Sequence, residues 1–335
     1  MHQDLFTNHK IIEQRPETEK VLCLSIDGGG IRGLMAAEIL ACLEKELHEN
    51  LYNTFDMYAG TSTGSMIALN IAANQFNAER IVEWYLPEKA SIIFTLSRLR
   101  SYMKNKVPNS LYLMPRARYT GHGKREYCKQ LFGEKKFHAI EKPILVTAYN
   151  FVNNTTAIFK STGGTEVQSH PYVYEVCDAS SAAPIYFPPV KVGDHWLIDG
   201  GISANNPSLC LISYAFEFGY RIKQIYMVSI GTGRHQRKFS KFEYYAQNAF
   251  NWNGFAWLTH GLIENFMDGN TTTTDYLAND LLRRRICRIN PVLDQVNYQL
   301  DDNTPENLKN LRALGREIYQ EYRTELLSLI DAAKA

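Results

Sequence analysis

The sequence predicts an α/β chain: a mostly parallel central sheet covered by helices on both faces, in three layers. Two observations carry that prediction. Short apolar runs rich in β-branched residues alternate with amphipathic helical runs along most of the 335 residues, the pattern of strand–helix–strand crossovers. Two of the strand-to-helix junctions are also glycine-rich turns, LSIDGGGIRG at 24–33 and AGTSTGS at 59–65.

Strands are expected at 21–26, 55–59, 144–150, 157–160, 196–198, 225–230 and 285–289. Helices are expected at 34–49, 65–74, 78–85, 124–131, 172–181 and 207–219. From Asn303 the tail reads as helix. Thr304 can cap it, Pro305 suits its first position, and Glu306 suits the positive end of its dipole. Leu308, Leu311, Ile318, Tyr322 and Leu326 then fall along one face. Residues 1–20 read as a polar N-terminal arm, 21–335 as one large domain, and 303–335 as its helical tail. The segment 86–120 mixes apolar residues with Arg98, Arg100, Lys104, Lys106, Arg116 and Arg118 and is broken by Pro108 and Pro115. It reads as a lid or insertion.

Composition excludes more than it proposes. Lys and Arg total 36 against 35 Asp and Glu, so charge points neither to a nucleic acid polymer nor to an anionic membrane. The six cysteines form no C-x-x-C pair, which suggests neither zinc nor a redox motif, and they fit a reducing compartment. The first twenty residues lack an apolar core of signal-peptide type. No run approaches the roughly 18 apolar residues that suggest a membrane span. A cytoplasmic protein is expected. Oligomeric state is not legible.

Three motifs carry chemistry. Gly28, Gly30 and Gly33 fit the G-x-G-x-x-G dinucleotide fingerprint, between a strand-like and a helix-like run. Two features argue against a pyrophosphate there. Asp27 adjoins the glycines, and a dianion would be repelled by it. The acidic residue expected to end a second strand about 20 residues on is missing. An oxyanion carries about one charge and needs two or three fixed N–H donors. Gly28, Gly29 and Gly30 can supply them, with Arg32 supporting the loop or meeting a substrate phosphate. The second motif, Gly60-Thr61-Ser62-Thr63-Gly64, fits the G-x-S-x-G nucleophile elbow. The third, WLIDGG at 196–201, places Asp199 at the end of a short apolar run, before Gly200 and Gly201.

Together these motifs resemble the patatin-like phospholipase family: DGGGIRG, GTSTG and IDGG occur in that family's order. The blocks ASSAAP (179–184), YFPP (186–189) and SIGTG (229–233) extend the likeness to about residues 21–326. The resemblance implies the family's three-layer α/β/α fold and a phospholipase A-type acyl hydrolase that needs no metal or other cofactor. It implies a Ser–Asp dyad, with Ser62 as nucleophile and Asp199 as base, acting on membrane phospholipid during transient contact with a membrane surface. An ordinary aspartate, with pKa near 4, is a poor base for a hydroxyl, so burial has to raise it. Two rival readings stay open: a Ser–His–Asp esterase using His195 or His170, and a nucleotide-binding protein using the Gly28–Gly33 loop. Some bacterial members of the family are antiphage effectors switched on by cyclic oligonucleotides. That implies a candidate receptor in 86–120, with Arg98, Arg100, Lys104 and Lys106 for phosphates and Tyr102 and Tyr112 for bases.

Overall fold

In the computed structural model, which describes residues 14–96, 117–162, 170–234, 262–293 and 296–335, the run VLCLSI forms strand β1 (Val21–Ile26). It pairs in parallel with β2 (Met57–Thr61) on one side and β7 (Ile225–Ile230) on the other. β3 (Ile144–Asn150) joins β2 in parallel and β8 (Ile286–Ile289) joins β7 likewise. The other three strands, β4 (Thr155–Lys160), β5 (Val190–Val192) and β6 (His195–Asp199), pair antiparallel. The sheet is mixed, with a parallel centre.

Side-chain alternation builds two cores from this sheet. Leu22, Leu24, Ile26, Val228 and Ile230 face one side. There the helices Gly33–Leu47, Thr63–Asn74, His122–Phe132, Val173–Ser180 and Pro305–Lys334 cover them. Val21, Cys23, Met57, Ile225 and Met227 face the other side, under Ser208–Glu217 and the end of Leu262–Leu282. Strands buried on both faces read as continuous apolar runs, which is why β1, β3 and β7 fall where the sequence puts them.

The tail forms one helix, Pro305–Lys334, and Thr304 accepts a hydrogen bond from the Asn307 N–H at 3.4 Å. Its Gly315 lies so near the first helix that a Cβ would stand 2.9 Å from the Met35 carbonyl oxygen. Residues 14–20 of the arm are tied to the domain by Arg15 N–H to the Gly219 carbonyl and by Gln224 Nε2 to those of Pro16 and Glu19.

β2 starts two residues later than expected, and the elements not expected include β5 and the helix Leu262–Leu282. β5 is only three residues long, too short for an alternation signal to stand out. The helix Leu262–Leu282 contains Gly269 and four consecutive threonines, Thr271–Thr274. Glycine and β-branched residues are poor helix formers, so packing rather than propensity makes this helix. Of the suspected lid, the helix Pro87–Ile93 is described. Arg98, Arg100, Tyr102, Lys104, Lys106, Tyr112 and Arg116 lie outside the described residues.

One feature of the topology positions the site. β4 pairs with β3 along Leu145–Asn150 and occupies one edge of it. On the other edge β2 pairs with residues up to Thr147, opposite Thr61, and β6 takes over at Ala148, opposite Asp199. β2 and β6 therefore share one lane and run toward each other. Their facing ends are Ser62, just past β2, and Asp199, the last residue of β6.

Candidate active site

Ser62 caps the helix Thr63–Asn74 with φ 53° and ψ −121°, a left-handed backbone rarely taken by a residue with a side chain. Its neighbours leave no room for larger residues. A Cβ on Gly64 would stand 2.2 Å from the Ile26 carbonyl oxygen, and one on Gly60 would stand 2.4 Å from that of Gly64. The two glycines let the elbow pack directly on the end of β1, and the strain aims the Ser62 side chain out of the sheet.

Ser62 stands close enough to the Asp199 carboxylate to pull its pKa down, and Asp199 Oδ1 accepts the Gly201 N–H at 2.7 Å. Both side chains are buried, Asp199 being 3% exposed. Burial pushes Asp199 up to about 6, against the pull of Ser62, the Gly201 amide and, more weakly, Lys124. That is the increase in basicity an aspartate base requires. Gly200 fits against Thr147, and Gly201 against Met267.

The Gly28–Gly33 turn lies at the end of the neighbouring strand. Gly30 has φ +58°. The three glycine amides are not equivalent. The Gly28 N–H donates to the Asn205 carbonyl at 3.2 Å, while those of Gly29 and Gly30 meet no acceptor among the described residues. Thr232 Oγ1 donates to the Gly28 carbonyl at 2.6 Å and steadies the turn from below. Arg32 is buried under the loop. Its guanidinium donates to the carbonyls of Gly29 (3.3 Å) and Gly233 (3.1 Å) and stacks on Tyr298. Of its two expected roles, this geometry serves loop support. Gly33 packs against Thr63 and Tyr85.

Asp27 behaves differently from the expectation. It is 1% exposed and held by Arg288 Nη2 at 2.5 Å and Nη1 at 2.9 Å. Arg288 offsets part of its charge but is shared with Asp275, Nε to Oδ1 at 2.8 Å, so repulsion of a dianion is weakened and not removed.

An open cleft runs inward from these residues. Gly29, Gly30, Ser62 and Asp199 stand on one wall. Met66, Trp84, Ile93, Phe94, Phe187 and Met267 make it apolar. Its shape suits a hydrocarbon chain lying beside a nucleophile.

No histidine among the described residues lines the cleft. His195 sits at the far end of β6, its Nδ1 3.0 Å from Asn150 Nδ2, and His170 packs edge-on to His138. Replacing His195 with Gln, or His170 with Gln, should leave ester hydrolysis within about threefold of wild type, since neither meets the Ser62 hydroxyl. Steady-state rates on a soluble ester check this, and a loss as deep as that of Asp199→Asn would restore the triad.

The sequence profile of the patatin-like phospholipase family matches residues 24–209, more than half of the chain and every motif above. The chain belongs to the patatin-like phospholipase family. It is thus a serine lipid hydrolase, and the dinucleotide reading of the glycine loop falls away. Patatin-like relatives match over most of the length. Patatin-like protein 2 of Oryza sativa subsp. indica is 27% identical over 90% of this chain and 84% of its own. Patatin-like protein 2 of Arabidopsis thaliana is 29% identical over 90% and 83%. Patatin-15 of Solanum tuberosum is 27% identical over 90% and 84%. Two solved structures align more loosely. They are VipD from Legionella pneumophila (TM-score 0.45, 13% identity, 96% of this chain and 70% of that one) and human GIVD cytosolic phospholipase A2 (TM-score 0.48, 12% identity, 94% and 59%). At those scores the likeness carries no weight of its own.

Two residues at the site of this patatin-like chain were given no role by the sequence, Ser180 being read only as part of the block ASSAAP. Lys124 lines the cleft while 1% exposed, and Ser180 accepts the Ser62 N–H on its Oγ at 2.9 Å. Lys124 did leave a signal: it shares the apolar face of its helix with Tyr127, Cys128 and Phe132, where a charge is out of pattern.

Proposed function

We propose that this patatin-like protein is a phospholipase A-type acyl hydrolase of glycerophospholipids that works through a Ser62–Asp199 dyad. The observation that carries the reading is the meeting of Ser62, on its strained elbow, with the buried Asp199 carboxylate at the wall of an apolar cleft. Asp199 takes the hydroxyl proton as Ser62 Oγ attacks the ester carbonyl. The oxyanion is held by the free amides of Gly29 and Gly30, while Gly28 shapes the turn. Each such donor is worth roughly 3 kcal/mol. Collapse passes the proton from Asp199 to the departing lysolipid oxygen and leaves an acyl-Ser62. Water then attacks, Asp199 takes its proton, and collapse returns that proton to Ser62 Oγ as the fatty acid leaves.

The substrate comes from a membrane surface. No helix among the described residues is long and apolar enough to cross a bilayer, and a cytoplasmic enzyme in transient membrane contact fits the reading. Vesicles of mixed phospholipids incubated with the protein should yield free fatty acid and lysophospholipid in equal amounts by mass spectrometry. Release of a headgroup instead would put the chemistry at the wrong bond. The residues read as a cyclic-oligonucleotide receptor fall outside the described structure, so gating enters as an arm of this experiment. Stimulation of soluble-ester hydrolysis by one of a panel of cyclic di- and trinucleotides would add the antiphage role.

A further inference from the structure

One turn grips both halves of the dyad. It closes the helix Val173–Ser180 and spans residues 178–182. Ser180 Oγ accepts the Ser62 N–H at 2.9 Å, the Ser180 carbonyl accepts the Gly200 N–H at 3.3 Å, and the Ala182 carbonyl accepts the Asp199 N–H at 3.1 Å. Ser62 and Asp199 stand at the ends of two strands that meet head-on and make no ladder with each other. β3 holds both ends from one side, at Thr147 and Ala148, and this turn is a second bridge that grips both of them directly.

The turn is itself held by Lys124, on the helix His122–Phe132. Lys124 Nζ donates to the Asp178 carbonyl at 2.5 Å and Ser181 Oγ at 3.0 Å, and pairs with Asp178 Oδ1 at 2.9 Å. Asp178 is shared with Arg125 at 3.2 Å. Burying an ammonium is costly unless it is paired and hydrogen-bonded, and an apolar residue would suit this helix face. Among the described residues, Lys124 and Asp199 are the two charged side chains that line the cleft.

We propose that Lys124 and Ser180 are positioning residues for the hydrolysis: Lys124 locks the 178–182 turn, the turn sets Ser62 against Asp199, and the ammonium is the cleft's positive charge facing that carboxylate. The proposal rests on the dyad reading above. The groups around Asp199 are few. Ser62 faces it from the elbow, the Gly201 amide from its own turn, and Lys124 from across the cleft. Tyr85, whose hydroxyl pKa is pushed up by burial, and Tyr186 are the other titratable cleft residues. Behind the glycine loop Arg288 is shared between Asp27 and Asp275, and none of the three lines the cleft. Lys124 pulls Asp199 downward, so removing its charge moves the acid limb of the pH–rate profile to higher pH.

The test is kcat and KM on a soluble medium-chain ester between about pH 5 and 9, for wild type, Ser180→Ala, Lys124→Arg, Lys124→Met and Lys124→Met with Asp178→Asn. The double variant removes both buried charges and guards against Lys124→Met failing to fold. Ser180→Ala should lower kcat about tenfold, with KM within about twofold and the acid limb unmoved. Loss of the Lys124 charge should lower kcat at least as far and raise the acid limb by about half a pH unit, which Lys124→Arg restores. An unmoved limb in the neutral Lys124 variants, or a Ser180→Ala kcat within about twofold of wild type, overturns the proposal. Failure of the dyad reading shows separately, as a wild-type chain that does not react with a fluorophosphonate at Ser62.

Discussion

Ser62→Ala should abolish fatty acid release while leaving the fold intact. The expected loss is on the order of 10⁴-fold or more, because the substitution removes the atom that forms the acyl-enzyme and leaves only binding and the oxyanion donors. Alanine keeps the Cβ and so keeps the backbone strain of φ 53°. Glycine does not. Ser62→Gly should be equally inactive yet more stable than wild type, by about 1 kcal/mol, as strain held for function is released. Thermal unfolding and fatty acid release, measured on both variants, check the pair. Activity surviving in either would remove Ser62 from the chemistry. A Ser62→Gly variant less stable than Ser62→Ala would mean that the elbow is not strained.

Asp199→Asn should cost on the order of 10³–10⁴-fold in kcat, since an amide cannot take the Ser62 proton. The pH behaviour is the sharper measurement. Burial holds Asp199 up to about 6 against an ordinary value of 3.8. As a base it must be ionised, so wild-type kcat/KM should rise with pH through an acid limb near 6. Stability moves the opposite way. A carboxyl whose folded pKa lies above its unfolded value binds its proton more tightly when folded, so its contribution falls as pH rises from about 4 to about 6. Asn carries no charge to desolvate. Asp199→Asn should therefore melt higher than wild type at pH 7.5, and the gap should close toward pH 4. A variant that melts lower than wild type at pH 7.5 would show that the buried carboxylate stabilises the fold rather than burdening it.

The raised aspartate is what the proposed two-residue site needs in order to work. An exposed aspartate next to a serine would be too weak a base. The cleft corrects this by excluding water, and the apolar residues that do so, among them Met66 and Phe187, also suit an acyl chain. Substrate fit and base strength thus share one physical cause, the low polarity of the cleft.

What the sequence determined by itself was local. Apolar runs buried on both faces specified β1, β3 and β7, because a strand between two helical layers carries no polar alternation to confuse the reading. Thr304 and Pro305 marked the start of the last helix. The glycines around Ser62 and after Gly28 marked backbone that only glycine allows, so the elbow and the loop were legible as motifs. Tertiary structure decided what spacing along the chain cannot carry. That Ser62 and Asp199, 137 positions apart by their numbering, line one cleft together follows from β2 and β6 occupying the same edge of β3. That the free amides are those of Gly29 and Gly30, and not Gly28, depends on where the Asn205 carbonyl falls. That Asp27 is ion-paired depends on Arg288, brought in by β8. Each is a long-range contact between groups with no local signature, and packing alone selects the partner.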